Sequence, residues 1–432
     1  MSGKKRVIII GAGLSGLGAG IFLRKHSADF LILEKESEPG GLCRSKKHGG
    51  FTFDYDGHLL HFRSGRGFNI VNGLLEGELI RFRRDASVSF RGLDVPYPFQ
   101  ANLYALPDKV RLECVRGLKE RDRSLRPADF SAWIQSRFGS GIARHFMLPY
   151  NRKFWRYPLN RMTSDWTGSF VPVPSDKKML SGAARGIEEP LGYNSSFWYP
   201  SQGGIDILPR RMADACGNIL YGRRVSGIDR ERRVVRTAGG EEFVYDNLIS
   251  TMPLPDFGSI CSGLPGKVRK CFRSLRWNSL VVFNLGFSGR PRLGRHWIYF
   301  PGKEVPFFRV GFPHNFSACA APRGRGSLYA EVSYAPGRKP DMKRLRREVL
   351  RGLHTAGILG GKSRICAEDA LDLQYAYPVY DRAYAASRKR IIAWLRGGDV
   401  LLCGRYGGWN YFSMEDAILD GMSAAERTVK DV

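Results

Sequence analysis

The segment Arg6-Val7-Ile8-Ile9-Ile10 is a β-branched apolar run that ends on Gly11-Ala12-Gly13-Leu14-Ser15-Gly16. A run this short, closed by glycine, reads as a buried parallel strand. At this spacing the first glycine permits a tight turn, the second lets backbone approach a pyrophosphate, and the third lets the next helix lie close on the strand. A helix from about Leu14 to Lys25 offers free N–H groups to an anion. Strand Phe30-Leu31-Ile32-Leu33 follows, then Glu34, where an acid would hold a ribose hydroxyl. Strand, glycines, helix, strand and acid fall in order within a ~30-residue unit. The chain is therefore committed early to an α/β, Rossmann-like fold that binds a dinucleotide, with Gly11, Gly13, Ser15, Gly16 and Glu34 as candidate contacts.

With 432 residues, the chain has room for two or three domains and a sizeable core. Lys plus Arg exceed Asp plus Glu by 68 to 41, a formal charge of +27, which creates a field suited to anionic ligands. The basic clusters Arg81, Arg83, Arg84 and Lys343, Arg344, Arg346, Arg347 are scattered, without zinc-finger or RNA-binding signatures, so no nucleic-acid partner is expected. The 8 cysteines form no C-x-x-C pair, which suggests no metal site, no disulfide framework and a cytoplasmic setting. Lys4-Lys5-Arg6 before the uncharged run Val7 to Leu23 mimics a signal peptide or a membrane span. Glycines interrupt that run, and it is shorter than the roughly 20 residues a span needs, so no integral membrane segment is expected.

The remaining patterning divides the chain. Residues 1–65, 195–262 and 390–432 read as one discontinuous dinucleotide-binding domain. Residues 66–194 read as a mainly helical insertion, with amphipathic stretches from Asp108 to Leu118 and Asp129 to Phe146. Residues 263–389 read as an antiparallel sheet substrate domain, with alternating runs such as Leu280 to Leu285 and Ser327 to Val332. The Pro-, Gly- and polar-rich stretch from Val171 to Tyr193 is the candidate for a loop that closes over substrate.

After Glu34 comes a second glycine pair, Glu38-Pro39-Gly40-Gly41-Leu42-Cys43-Arg44-Ser45, then Gly50 to Asp54 and Gly57-His58. This continuation resembles the stretch that wraps FAD in the amine oxidase and protoporphyrinogen oxidase superfamily, adding Gly40, Gly41, Leu42, Arg44 and Ser45 to the cofactor contacts. Within it, Val95-Pro96-Tyr97-Pro98-Phe99-Gln100 resembles the uracil-end motif of the UDP-galactopyranose mutase family, particularly its eukaryotic-type branch. Phe146 to Trp155, Trp297 to Pro301 with Pro306 to Arg309, and Gly404 to Tyr411 match further motifs of that family, in family order.

That resemblance implies a pyranose-furanose mutase, most simply acting on UDP-galactose in cell-surface glycan biosynthesis. Its FAD works in the reduced form, with flavin N5 the nucleophile at the anomeric carbon and NAD(P)H or another compound the reductant. By similarity Arg309, Tyr299, Tyr377 and Tyr411 bind the diphosphate, and Tyr97 and Gln100 face the uracil. His58, Arg84, Asn151 and Arg405 sit against the flavin or the sugar, and Arg126 is placed on the substrate by its spacing from Asn151. His58, Arg309 and Asn151 are then the catalytic candidates. The residues also allow plainer readings: Trp155, Trp297 and Trp409 as core packing, and His58 as a structural histidine. Arg309, in an apolar run, needs an anionic partner to offset burial. Phe316 replaces a family tyrosine, and the stretch after Tyr411 is one residue shorter than in the eukaryotic-type branch. An FAD-dependent amine oxidase or protoporphyrinogen oxidase-type oxidoreductase is the alternative, and the oligomeric state is open.

Overall fold

The computed structural model describes residues 5–124, 126–168, 170–187, 191–289, 294–395 and 399–430. Lys4 of the basic start, and 188–190 of the candidate loop, fall outside them. Strand Arg6–Ile10 lies at the centre of a five-stranded sheet between Asn247–Ser250 and Asp29–Leu33, with Val400–Leu402 and Ile219–Leu220 at the edges. Every pairing in this sheet is parallel. Helix Leu14–Lys25 packs against the final helix, Met414–Lys430. The close approach depends on two glycines: a Cβ on Gly18 would lie 2.6 Å from the Ile418 carbonyl oxygen, and one on Gly421 would lie 1.9 Å from that of Ser15.

The second layer is a seven-stranded sheet in the order Ile365–Val379, Arg276–Ser288, Arg325–Tyr334, Arg309–Gly311, Trp297–Tyr299, Ala86–Phe90, Leu93–Pro96. It is antiparallel except where Trp297–Tyr299 runs parallel to Ala86–Phe90. The 66–194 segment opens on helix Gly65–Leu74 and then contributes strands as well as helices. Leu79–Arg83 pairs with Ser196–Pro200, and the next two strands extend the large sheet. In Ala86-Ser87-Val88-Ser89-Phe90 the apolar residues alternate with serines, the period of a strand, and the apolar row is buried in the core. Helices occupy the middle of the segment: Asp108–Glu120, Phe130–Ile142, capped by Asp129 Oδ1 accepting the Ala132 N–H at 2.9 Å, and Leu148–Trp155. Trp155, Trp297 and Trp409 are all buried at 3% exposure or less, as packing requires. No described helix is long and apolar enough to cross a membrane.

Candidate active site

At the dinucleotide end, Gly11 has φ +97°, and its N–H donates to the Leu33 carbonyl at 2.8 Å. Glu34, 5% exposed, accepts the Ala12 N–H at 2.6 Å and the Glu36 N–H at 2.9 Å, so it also fixes the glycine turn. The second glycine pair folds onto the first: the Gly40 N–H donates to the Ala12 carbonyl at 2.8 Å, Gly13 bridges Gly40, and Gly41 lies close to Gly13. A Cβ on Gly13 would meet nothing within 4 Å, leaving backbone open to a ligand. Leu42 is half-buried against the core. Arg44 and Ser45 are turned inward: Arg44 Nε donates to the Gly41 carbonyl at 2.8 Å, and Ser45 Oγ donates to Asp54 at 2.6 Å. They hold the loop in shape around the cradle.

Ser15 abuts Gly404, which brings the Gly404-Arg405 turn to the start of the first helix. Arg405 Nε and Nη2 are buried without an acceptor among the described residues, as is Nδ1 of His58. Burial, reinforced by Arg405, holds the His58 imidazole below its ordinary pKa and therefore neutral. Buried donors without acceptors are costly. The carbonyl and phosphoryl oxygens of a flavin dinucleotide are the acceptors such a set fits.

From Arg405 a continuous row of rings leads away. Its guanidinium lies 4.5 Å from the Tyr377 ring, and ring centroids then succeed one another at 4.7 Å to Phe154, 6.1 Å to Tyr150, 5.4 Å to Tyr299 and 4.9 Å to Tyr97. Arg84 caps the row, 4.6 Å over Tyr97. These rings wall a cavity of about 150 Å³ that also takes in Gln100, Tyr411 and Arg309. Gln100 is 1% exposed; its Nε2 donates to the Pro172 carbonyl at 2.7 Å while its Oε1 is buried and has no partner among the described residues. Burial pushes the hydroxyls of Tyr97, Tyr150, Tyr377 and Tyr411 upward, so all are neutral donors.

Arg309 carries its own counter-ion. Nη2 donates to Glu331 Oε1 at 2.8 Å, Nε binds the other oxygen, and Glu331 is 0% exposed. Burial raises the Glu331 carboxyl; Arg309 opposes that shift, and neighbouring Asp56 adds to it. The anion inferred for Arg309 is thus supplied within the chain, and Nη1 is the guanidinium nitrogen left without a hydrogen bond among the described residues.

Three expected contacts are placed differently. Arg84 donates to the carbonyls of Asn194 at 3.1 Å and Leu191 at 3.2 Å, anchoring the loop beside Tyr97. Asn151 Nδ2 is taken by the Met147 carbonyl at 2.8 Å, and the residue does not line the cavity. Arg126 is exposed on the connection before helix Phe130–Ile142 and does not line the cavity either. Sequence reasoning missed Tyr150, Trp166, Phe170 and Tyr193. Phe146, Tyr150 and Phe154 recur every fourth residue and share a helix face, a readable signal. Trp166 and Phe170 lie in an irregular connection that carries none. Phe316 packs among Phe82, Phe197 and Tyr199.

The chain is 26% identical to a protein solved as reduced UDP-galactopyranose mutase, over 99% of this chain and 96% of that one, with a TM-score of 0.94. A fatty acid isomerase from P. acnes shares the fold at 13% identity and TM-score 0.69, covering 99% of each chain. Among characterised sequences, a zeta-carotene-forming phytoene desaturase of Myxococcus xanthus is 25% identical over 78% of this chain and 74% of its own length. The family of flavin containing amine oxidoreductases matches residues 14–429, nearly the whole chain. The chain therefore belongs to the flavin-containing amine oxidoreductase family.

Proposed function

We propose that the protein is a flavin-dependent nucleoside diphosphate sugar mutase that interconverts UDP-galactopyranose and UDP-galactofuranose. The observation that carries this reading is the ring-lined cavity itself, in which the Arg309 guanidinium and neutral tyrosine hydroxyls meet the buried amide oxygen of Gln100. Gln100 Oε1 complements the imide N–H of a uracil, with Tyr97 as the stacking surface. Arg309 Nη1 and the hydroxyls of Tyr299, Tyr377 and Tyr411 suit a diphosphate, and the whole-chain likeness to a UDP-galactopyranose mutase supports the same choice. A cationic amine substrate would meet Arg309 and Arg405 with repulsion.

FAD would be held by Gly11, Gly13, Gly16, Glu34, Gly40 and Gly41, with His58 and Arg405 at the isoalloxazine end. Reduced FAD, when bound, supplies the nucleophilic nitrogen for the anomeric carbon. The chain's own groups orient the sugar against it, hold the diphosphate as it leaves and exclude water through the aromatic walls. Activity needs an electron donor such as NAD(P)H to reduce the cofactor once. The product would feed galactofuranose-containing glycans, and eight free thiols suit a reducing cytoplasm.

The test is anaerobic reduction of the purified holoprotein with dithionite, addition of UDP-galactofuranose, and chromatography for UDP-galactopyranose. Product is expected in the reduced sample alone. No product, with flavin bound and its spectrum unmoved by UDP, overturns the UDP-sugar assignment; bleaching of oxidised flavin by a substrate would point to an oxidoreductase.

A further inference from the structure

A second, larger hollow of about 510 Å³ opens on the helical region, apart from the aromatic cavity. Arg121 and Arg123 enter it from the connection after helix Asp108–Glu120, Arg137 from helix Phe130–Ile142, and Lys177 from segment 173–179. These four cations face a single lining carboxylate, that of Asp176, which pairs with both Arg121 and Arg123. Arg121 is held rigidly, donating also to the carbonyls of Leu118 at 2.7 Å and Ser136 at 3.1 Å, and its side chain is 9% exposed. Arg137 and Lys177 are exposed and have no ion-pair partner among the described residues. Pro127, Val173 and Met179 provide an apolar wall beside the charges.

Four cations gathered around one carboxylate in a concave hollow leave an excess of positive charge, which an anion relieves. The guanidinium forks of Arg123 and Arg137 match phosphate oxygens, and Lys177 adds a point charge. The volume lies in the range of small-molecule sites, and the apolar wall accommodates an organic portion. We propose that this hollow is a second ligand site, taking a phosphorylated small molecule of about nucleotide size. It shares a wall with the aromatic cavity: Val171 and Pro172 line the one, Val173 to Lys177 the other, and the Pro172 carbonyl fixes Gln100. The proposal does not depend on the reaction assigned above.

The probe is inorganic pyrophosphate, titrated calorimetrically into FAD-loaded protein. The double variant Arg137→Glu, Lys177→Glu removes two groups the fold does not use. The variant Lys343→Glu, Arg347→Glu makes the same change in net charge on the remote, exposed helix Met342–Thr355. Arg309→Gln reports on the aromatic cavity. The expected result is binding weakened about tenfold or more, some 1.4 kcal/mol, in the first variant, with less than about twofold change in the other two. Equal losses in both double variants would reduce the effect to the overall field, and a loss confined to Arg309→Gln would place pyrophosphate in the aromatic cavity. Either outcome, or unchanged binding in Arg137→Glu, Lys177→Glu, overturns the proposal. Circular dichroism and bound flavin confirm that each variant is folded.

Discussion

Replacing Arg405 with Met separates a structural from a ligand-binding role, because the two predict opposite signs. Met keeps the length and apolar stem while removing the charge. Nε and Nη2 are buried donors without acceptors among the described residues, and each such group costs about 1–3 kcal/mol. Their removal therefore returns about 2–6 kcal/mol to the flavin-free protein. Against this stands the loss of stacking on Tyr377 at 4.5 Å and Tyr411 at 5.3 Å, worth about 0.5–2 kcal/mol each. At the midpoints of the two ranges, about 4 and about 2.5 kcal/mol, the net is a gain of about 1.5 kcal/mol. For 432 residues at about 2.1 cal/mol/K each, the unfolding entropy is roughly 0.9 kcal/mol/K, so apoprotein should melt about 1–2 °C higher. FAD binding should move the other way. Losing even one charge-assisted hydrogen bond of about 1.5–3 kcal/mol raises the dissociation constant by tenfold or more. Calorimetric melting of apo- and holoprotein, with a fluorescence titration of FAD, measures both quantities. Apoprotein that melts lower, together with unchanged FAD affinity, would refute the reasoning and make Arg405 a packing residue.

The same substitution made at two glycines should also give opposite results. Gly73→Ala, on an open stretch of helix Gly65–Leu74, should gain up to about 1 kcal/mol from helix propensity, while Gly421→Ala should lose about 1–3 kcal/mol by overpacking against Ser15 and shed flavin; denaturant unfolding and flavin content report on both. Gln100→Ala should leave flavin content intact and cut the preference for UDP over CDP about tenfold, measured by competition binding. His61, whose Nδ1 bonds the Ser196 carbonyl at 3.1 Å, is held neutral by burial with its pKa lowered to about 4, opposed by that hydrogen bond. Because the folded value lies below the ordinary 6.5, its contribution is present above pH 6.5 and fades as pH falls through about 4. The His61 ring resonances should titrate near 4, and a Phe variant should lose that part of the acid slope in stability.

The dinucleotide half was legible because its signals are local. Helix Leu14–Lys25, the flanking strands, Asn247–Ser250 and Val400–Leu402 all show as short apolar runs closed by turn residues. The large sheet was less so, since its edge is assembled from distant segments. Leu79-Ile80-Arg81-Phe82-Arg83 alternates with period two, yet its basic residues drew attention as a charge cluster, and its partner strand begins at Ser196. The Arg309 counter-ion was out of reach for a related reason. Glu331 faces Arg309 across a pair of antiparallel strands, and only the register of that pairing, Arg309 opposite Glu331, brings the two together. Tyr97 and Gln100, read from the hexapeptide motif, both line the cavity, in a compact turn after a strand. Arg126, placed by spacing, lies exposed in an irregular connection where residue counts do not fix position, and it does not line the cavity.

The protonation states around the cavity limit what the chain itself can contribute. Burial keeps the tyrosine hydroxyls protonated and His58 neutral, so neither supplies a strong base. Among the described residues lining the cavity, Arg309 is the one ionic side chain, and Glu331 beneath it offsets much of its charge when ionised. A wall of neutral donors around a partly compensated guanidinium can bind a diphosphate without binding it so tightly that it never leaves. The buried Glu331 carboxyl positions Arg309 and leaves Nη1 toward the cavity; in the proposed mutase reaction it would, when ionised, temper the field beside the departing diphosphate.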